Sequence, residues 1–433
     1  MAQGVEAAAA NPFDGVIPAV KEVDETPYLM PRRPHRKSLL QWIPSDDEQL
    51  EQVETAILRH LNVPYRASDA CGIHSISTDC ASVSSRRDQY AVKPGKLACD
   101  PLSAESELFH DHIVLLHGFG GGLATWMPNY GSLVHRFAGR RVTLHAIDLP
   151  GFARSRREWA HIADENEAIG YLVERVKRWL DARCVPASAT DACVPAGAEV
   201  ATCTPPTRIT LVGHSFGGYV SAHVAMNYPG FIHKLVLVDP WGVPLMTEND
   251  KPKNMPLKWR CAMRLFYAMR PFALLRAAGP MGPGFLPKVR KDFADRWQPH
   301  LVDVNLFYDY VYHCNANKDA VGELAFQKCC HGPAYAKRPL EQELARRLPA
   351  DCHLAVIYGI HTWMNRRAGR ALYESVPTAG TDRRKHFYLV SDAGHQVTSD
   401  NAAEFNLRLL DVLLAEESPV PRDPNDGLTP SST

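Results

Sequence analysis

The chain has 433 residues, in which 48 Lys+Arg balance 48 Asp+Glu, with 45% hydrophobic and 22% charged residues. That balance excludes a dedicated nucleic-acid binder, which would carry a strong basic excess. No stretch approaches the ~18 consecutive apolar residues of a membrane-crossing helix. The length suits one large catalytic-size domain with extensions. The 11 cysteines are scattered, with Cys329-Cys330 adjacent and no Cys-x-x-Cys pair. This pattern indicates neither a zinc site nor a disulfide framework, and reduced cytoplasmic thiols are the economical expectation. The start of the chain, from Met1 to Ala10 and on through Asp14, Glu22 and Asp24, reads as neither a signal peptide nor a transit peptide.

In chain order, residues 1–44 are Pro-rich and aperiodic and are expected to be a disordered extension. A capping box at Ser45 and Glu48 opens a helix that carries Leu50, Val53, Ile57 and Leu61 at helical spacing. Residues 79–105 have a loop composition and read as a surface insertion. Ile113–Leu116 and Val142–Ile147 are short apolar strands, and Ile169, Leu172, Val176 and Trp179 mark an amphipathic helix. A second surface insertion spans 182–207. Then come a strand at Ile209–Val212, a helix at Gly217–Tyr228 and a strand at Leu235–Val238. Strands resume at Leu354–Tyr358 and His386–Val390, and Phe405, Leu409 and Val412 sit on a last helix. Near-continuous β-branched runs alternating with helices predict an α/β fold with a mostly parallel central sheet and helices on both faces. Residues 45–243 and 346–415 form its core. The basic and aromatic stretch 244–345 reads as an inserted helical lid, and 416–433 as a disordered tail.

Gly213-His214-Ser215-Phe216-Gly217 lies between an apolar strand and a helix. This G-x-S-x-G spacing makes a sharp turn that lifts a serine oxygen above the sheet, so Ser215 is the expected nucleophile. His117-Gly118-Phe119-Gly120-Gly121-Gly122 follows the first strand. Its glycines let backbone N–H groups approach a developing oxyanion, and the amides of Phe119 and Phe216 are the expected pair. His395 follows the last strand, and an imidazole there can take the serine proton at neutral pH and return it to the leaving group.

The span from about Leu40 to Leu414 resembles the α/β-hydrolase fold, and within it the α/β-hydrolase-domain type 4 and type 5 lipid proteins with their plant and yeast relatives. The resemblance rests on Trp42-Ile43-Pro44-Ser45, the His117–Gly122 loop, Asp148-Leu149-Pro150-Gly151-Phe152 and Val238-Asp239-Pro240-Trp241-Gly242. It rests also on Ala278–Pro283, on Tyr312-His313-Cys314-Asn315-Ala316 and on His395-Gln396-Val397-Thr398-Ser399-Asp400. It implies a serine hydrolase of lipid acyl esters or amides, of lysophospholipase or phospholipase type, with acyl transfer to lysophosphatidic acid as a further activity. His395 and Asp400 match the family's His-x-x-x-x-Asp acyltransferase motif. The type 5 branch replaces the nucleophile with Asn and acts as a lipase coactivator. Retained Ser215 favours an active enzyme over that alternative, a catalytically weak lipid-binding coactivator.

The sequence departs from the family at the triad acid. The stretch Tyr358-Gly359-Ile360-His361-Thr362-Trp363-Met364-Asn365 has no carboxylate, and Thr362 and Asn365 occupy the places where the family carries one. Asp239, just past the preceding strand, is one candidate, though it reads equally as a turn residue before Pro240. Asn365 orienting His395 through its amide oxygen is another. From Lys251 to Arg276 there are seven basic residues and no acidic one, with Leu257, Cys261, Leu265, Phe266 and Met269 at helical spacing among them. Such a basic amphipathic segment suits an anionic lipid surface, although a solvated basic face over a core stripe has the same pattern. The expectation is a cytoplasmic enzyme that associates peripherally with membranes or lipid droplets and takes an acyl-lipid substrate. It needs no cofactor, metal or nucleic acid.

Overall fold

The computed structural model describes residues 46–84, 109–158, 160–185, 205–247, 257, 261, 269–317, 319–331, 334–378 and 384–415. The extension 1–44, most of the loop 79–105, most of the spacer 182–207, the greater part of the basic stretch and the tail 416–433 lie outside the described residues.

Helix α1 (Asp47–Leu58) starts one residue later than its capping signal suggests. Its N-cap is Asp46, whose Oδ1 accepts the N–H of Gln49 at 2.8 Å, while Ser45 falls outside the described residues. Leu50, Val53 and Ile57 are buried on one face, as their spacing requires. Strands β1 (Arg66–Ser68) and β2 (Ser75–Asp79) were not legible, because Arg-Ala-Ser and Ser-Ile-Ser-Thr-Asp lack the apolar run of a buried strand. Then follow β3 (His110–Leu116), α2 (Met127–Arg136), β4 (Val142–Ile147), α3 (Glu165–Cys184), β5 (Thr207–His214), α4 (Phe216–Asn227) and β6 (Lys234–Val238). Six described helices are inserted before the next strand: α5 (Ala273–Ala278), α6 (Gly282–Val289), α7 (Asp292–Trp297), α8 (Asn305–Ala316), α9 (Val321–Cys329) and α10 (Leu340–Arg347). The chain ends with β7 (His353–Gly359), α11 (Arg366–Ser375), β8 (Lys385–Val390), α12 (Val397–Asp400) and α13 (Ala402–Leu414).

The eight strands form one sheet in the order β1-β2-β4-β3-β5-β6-β7-β8. β1 and β2 are antiparallel to their neighbours, and every pairing from β4 through β8 is parallel. Residues alternate between two cores along each strand. Val114 and Leu116 join α3, α4 and α11 on one face, while Ile113 and Leu115 join α1, α2 and α13 on the other. Both faces are therefore dry, and the parallel strands read as unbroken apolar runs. Parallel strands all end at the same edge, so the segments following β3, β5, β6, β7 and β8 converge there.

Candidate active site

The elbow after β5 is held in a costly conformation. Ser215 has φ 53° and ψ −116°, and its N–H donates to the carbonyl of Val238 at the end of β6 (2.9 Å). The glycines around it are required by close approach. A Cβ on Gly217 would lie 2.5 Å from the carbonyl oxygens of His117 and Leu116, and one on Gly213 would lie 2.4 Å from the carbonyl oxygen of Gly217. A Cβ on Gly118 would stand 3.1 Å from the Cβ of Ser215, so the glycine loop after β3 lies directly beside the serine. Phe119 in that loop and Phe216 at the start of α4 thus belong to the two segments that flank Ser215, as an oxyanion-binding pair must.

His395 links this elbow to a carboxylate. The Ser215 hydroxyl is 3.0 Å from His395 Nε2, and His395 Nδ1 is 2.8 Å from Asp239 Oδ1. The fully buried carboxylate accepts at Nδ1, which leaves Nε2 unprotonated and facing the serine proton. Asp239 is fixed on three sides: Oδ1 also accepts the Thr362 hydroxyl at 2.7 Å, and Oδ2 accepts the Gly359 N–H at 3.0 Å. The geometry therefore separates the candidates for the acid. Asp239 touches the imidazole. Thr362, at one of the two places where the family acid would stand, serves that carboxylate with its hydroxyl. Asn365 does not orient His395; its Oδ1 accepts the Ala368 N–H at 3.0 Å and caps α11, because the first turn of that helix needs an acceptor.

Asp400, the second residue of the His-x-x-x-x-Asp match, is bound to backbone and to an arginine. Its Oδ2 accepts the N–H of Gly394 at 2.8 Å, and its Oδ1 pairs with Nε of Arg296 at 2.7 Å. Both oxygens are thus engaged away from the imidazole ring. Two further histidines shape the site. His214 Nε2 donates to the carbonyl of His395 (2.8 Å), and burial pushes its pKa down to about 3, so it stays neutral beside the working imidazole. His117 accepts the Leu149 N–H at Nε2 and donates from Nδ1 to the Gly118 carbonyl, and burial lowers it to about 4. It is a strut under the glycine loop. Sequence reasoning assigned no role to His214, and it marked Thr362 only as standing where the family carries its acid, although both sit inside motifs that it had singled out.

Above Ser215 and His395 opens a cavity of about 320 Å³. Its walls come from the inserted segment and from the glycine loop after β3 and are mainly apolar, with Phe119, Phe272, Leu286, Phe293, Trp297 and Phe307 among them. Arg290 and Arg296 supply charge on the same wall. Two buried clusters elsewhere have metal-ligand composition, His112 with His145 and Cys184, and Glu54 with His74 and Asp148. Hydrogen bonds engage the histidines of both clusters. His145 bonds Ser77 (2.7 Å) and His112 (3.0 Å), and His74 bonds Asp69 (2.7 Å) and Glu54 (2.9 Å). Among the described residues no helix is long and apolar enough to cross a membrane.

Comparison with known proteins shows a family and a fold. The Alpha/beta hydrolase family matches residues 113–407. The human (Lyso)-N-acylphosphatidylethanolamine lipase is 30% identical over 295 residues, covering 68% of this chain and 76% of the relative. The 1-acylglycerol-3-phosphate O-acyltransferase ABHD5 of Sus scrofa is 31% identical over 305 residues, covering 69% and 76%. Among solved structures, a membrane phospholipase A described as a bacterial virulence factor superimposes with a TM-score of 0.52 at 17% identity, over 86% of this chain and 92% of that one. At that identity the likeness concerns the fold.

Proposed function

The chain belongs to the alpha/beta hydrolase family, and from that premise we propose that it is a serine hydrolase of lipid acyl esters or amides, of lysophospholipase or phospholipase type. The observation that carries the reading is the hydrogen-bonded row Ser215–His395–Asp239 on the floor of an apolar cavity. Ser215 Oγ attacks the acyl carbonyl while His395 Nε2 takes its proton, and buried Asp239 stabilises the imidazolium. The amides of Phe119 and Phe216 receive the developing oxyanion. His395 then protonates the leaving group, and the acyl group stays on Ser215 until an acceptor arrives. Water gives hydrolysis, and the hydroxyl of lysophosphatidic acid gives acyl transfer. The relative named as a lipase supports the first outcome, and the relatives named as acylglycerol-phosphate acyltransferases support the second as a further activity. The mechanism calls on no metal or organic cofactor.

The inserted helices act as the lid of this enzyme. A cavity of about 320 Å³ with aromatic and aliphatic walls fits part of an acyl chain. Phe285 and Val289 on α6 line it and are also half-exposed, and Leu274 and Met281 nearby are more exposed still. Large apolar side chains at a cavity mouth suit a lipid surface, so the protein works as a peripheral enzyme on the cytoplasmic face of membranes or lipid droplets. The coactivator reading lacks an observation of its own, since Ser215 and His395 are in hydrogen-bond contact. The deciding experiment is fluorophosphonate labelling of the purified chain beside Ser215→Ala. Labelling that disappears with Ser215→Ala is expected; absence of labelling on the folded wild type would overturn the enzymatic reading.

A further inference from the structure

Asp400 stands where the lid meets the loop that carries His395. Its Oδ2 accepts the N–H of Gly394, the residue before His395, at 2.8 Å, and a Cβ on Gly394 would lie 3.3 Å from the same oxygen. The carboxylate is thus packed directly under the loop. Its Oδ1 is 2.7 Å from Nε of Arg296 on α7. Arg296 in turn donates to Asp292 (2.8 Å), and Asp292 is held by two nitrogens of Arg290 (2.9 and 2.8 Å). Alternating charges therefore run from the cavity wall to the amide next to the imidazole. A second tie runs parallel, with His300 Nε2 donating to the Ser399 carbonyl at 3.1 Å. On the opposite side of the loop, His214 holds the His395 carbonyl and the Ala393 carbonyl accepts the His361 N–H (2.8 Å). Neither oxygen of Asp400 touches Ser215 or the ring of His395, so its reach to the chemistry is through the backbone of the loop.

We propose that Asp400 is a positioning residue, and that its ion pair with Arg296 latches the lid to the histidine loop so that a closed lid holds His395 on Ser215. This rests on the serine-hydrolase reading of the site. It gives the His-x-x-x-x-Asp pair a role different from handling an acyl acceptor. The Asp400 side chain is 9% exposed and that of Arg296 25%, so water screens the pair only in part. A loop held from one side alone shifts, and a shift of about 1 Å in a catalytic group costs up to roughly a hundredfold in rate. Because the latch sets His395 itself, its loss slows every step that uses His395, whichever acceptor takes the acyl group.

The test uses full-length Asp400→Asn, Arg296→Met and Arg296→Lys. Asp400→Asn keeps an oxygen for the Gly394 N–H and removes the charge. The expected result is a fluorophosphonate labelling rate about ten- to a hundredfold lower in Asp400→Asn and Arg296→Met, with Arg296→Lys closer to wild type. Hydrolysis of a lysophospholipid and acyl transfer to added lysophosphatidic acid should fall by the same factor. The proposal is overturned if folded Asp400→Asn labels at the wild-type rate, or if transfer alone falls while labelling and hydrolysis hold. Should the wild type not label at all, the serine-hydrolase reading fails, and hydrogen exchange of the 393–400 amides decides the latch by itself. Faster exchange in Asp400→Asn and Arg296→Met supports it, and unchanged exchange overturns it.

Discussion

Asp239→Asn replaces one carboxylate oxygen by an NH₂ group and leaves the volume unchanged, so its effect reads the charge and hydrogen bonding of the site rather than its packing. In the native arrangement three donors converge on the buried carboxylate: His395 Nδ1–H at 2.8 Å, the Thr362 hydroxyl at 2.7 Å and the Gly359 N–H at 3.0 Å. An amide has one oxygen for them. If that oxygen faces Gly359, the NH₂ faces His395, Nδ1 becomes the acceptor and Nε2 carries the proton, so the imidazole can no longer accept from Ser215. If the oxygen faces His395, the NH₂ opposes the Gly359 N–H in a dry place, which costs about 1–3 kcal/mol. Loss of the correct tautomer costs roughly 10⁴ in rate, or about 5 kcal/mol of transition-state stabilisation. The assay is the second-order rate of fluorophosphonate labelling together with short-chain ester hydrolysis, on protein whose thermal unfolding matches wild type. A loss below about tenfold would refute the assignment of Asp239. In the Asp239→Asn background, Thr362→Asp puts a carboxylate where the family carries its acid, and at least about tenfold should return.

The remaining predictions concern the support of the site, the core and the lipid surface. Thr362→Val removes one hydrogen bond to a charged group, worth about 1.5 kcal/mol, and should slow labelling about tenfold without loss of folding. Near the sheet, burial alone would lower the pKa of His74, but its hydrogen bonds with Asp69 and Glu54 and the charges of Glu54 and Asp148 outweigh that and hold it at about 10. A folded-state pKa raised from 6.5 adds stability that is complete below pH 6.5 and is lost as pH climbs through about 10. Urea unfolding between pH 8 and 10.5 should therefore lose up to about 2.5 kcal/mol in wild type and change much less in His74→Gln. Parallel pH slopes would contradict the buried charge. Phe285→Ser with Val289→Ser should weaken flotation with anionic liposomes by about tenfold or more, since each buried apolar side chain contributes roughly 1.5–3 kcal/mol. Unchanged flotation would remove this face from the lipid contact.

Local pattern determined the central parallel strands and their helices and pointed to Ser215 and His395 as candidate site residues. The parallel strands are covered on both faces, so their apolar runs at 113–116, 142–147, 209–212 and 235–238 were legible as they stand. Ser215 was legible because its turn demands glycines at fixed offsets, and His395 because it follows the last strand. What the sequence could not decide is anything fixed by approach between distant segments. Asp239 and Thr362 are 123 residues apart, and only the pairing of β6 with β7 brings them to one hydrogen bond. Thr362 stands where a carboxylate was sought, so sequence position alone made the acid look lost, while the donors that hold Asp239 come from the neighbouring strand. Asp400 likewise matches a motif by spacing, yet its partners are a backbone amide and an arginine 104 residues earlier. Spacing along the chain tells which groups are available. Which of them share a proton depends on directions in space, and those are set by the sheet order and by the lid folded over it.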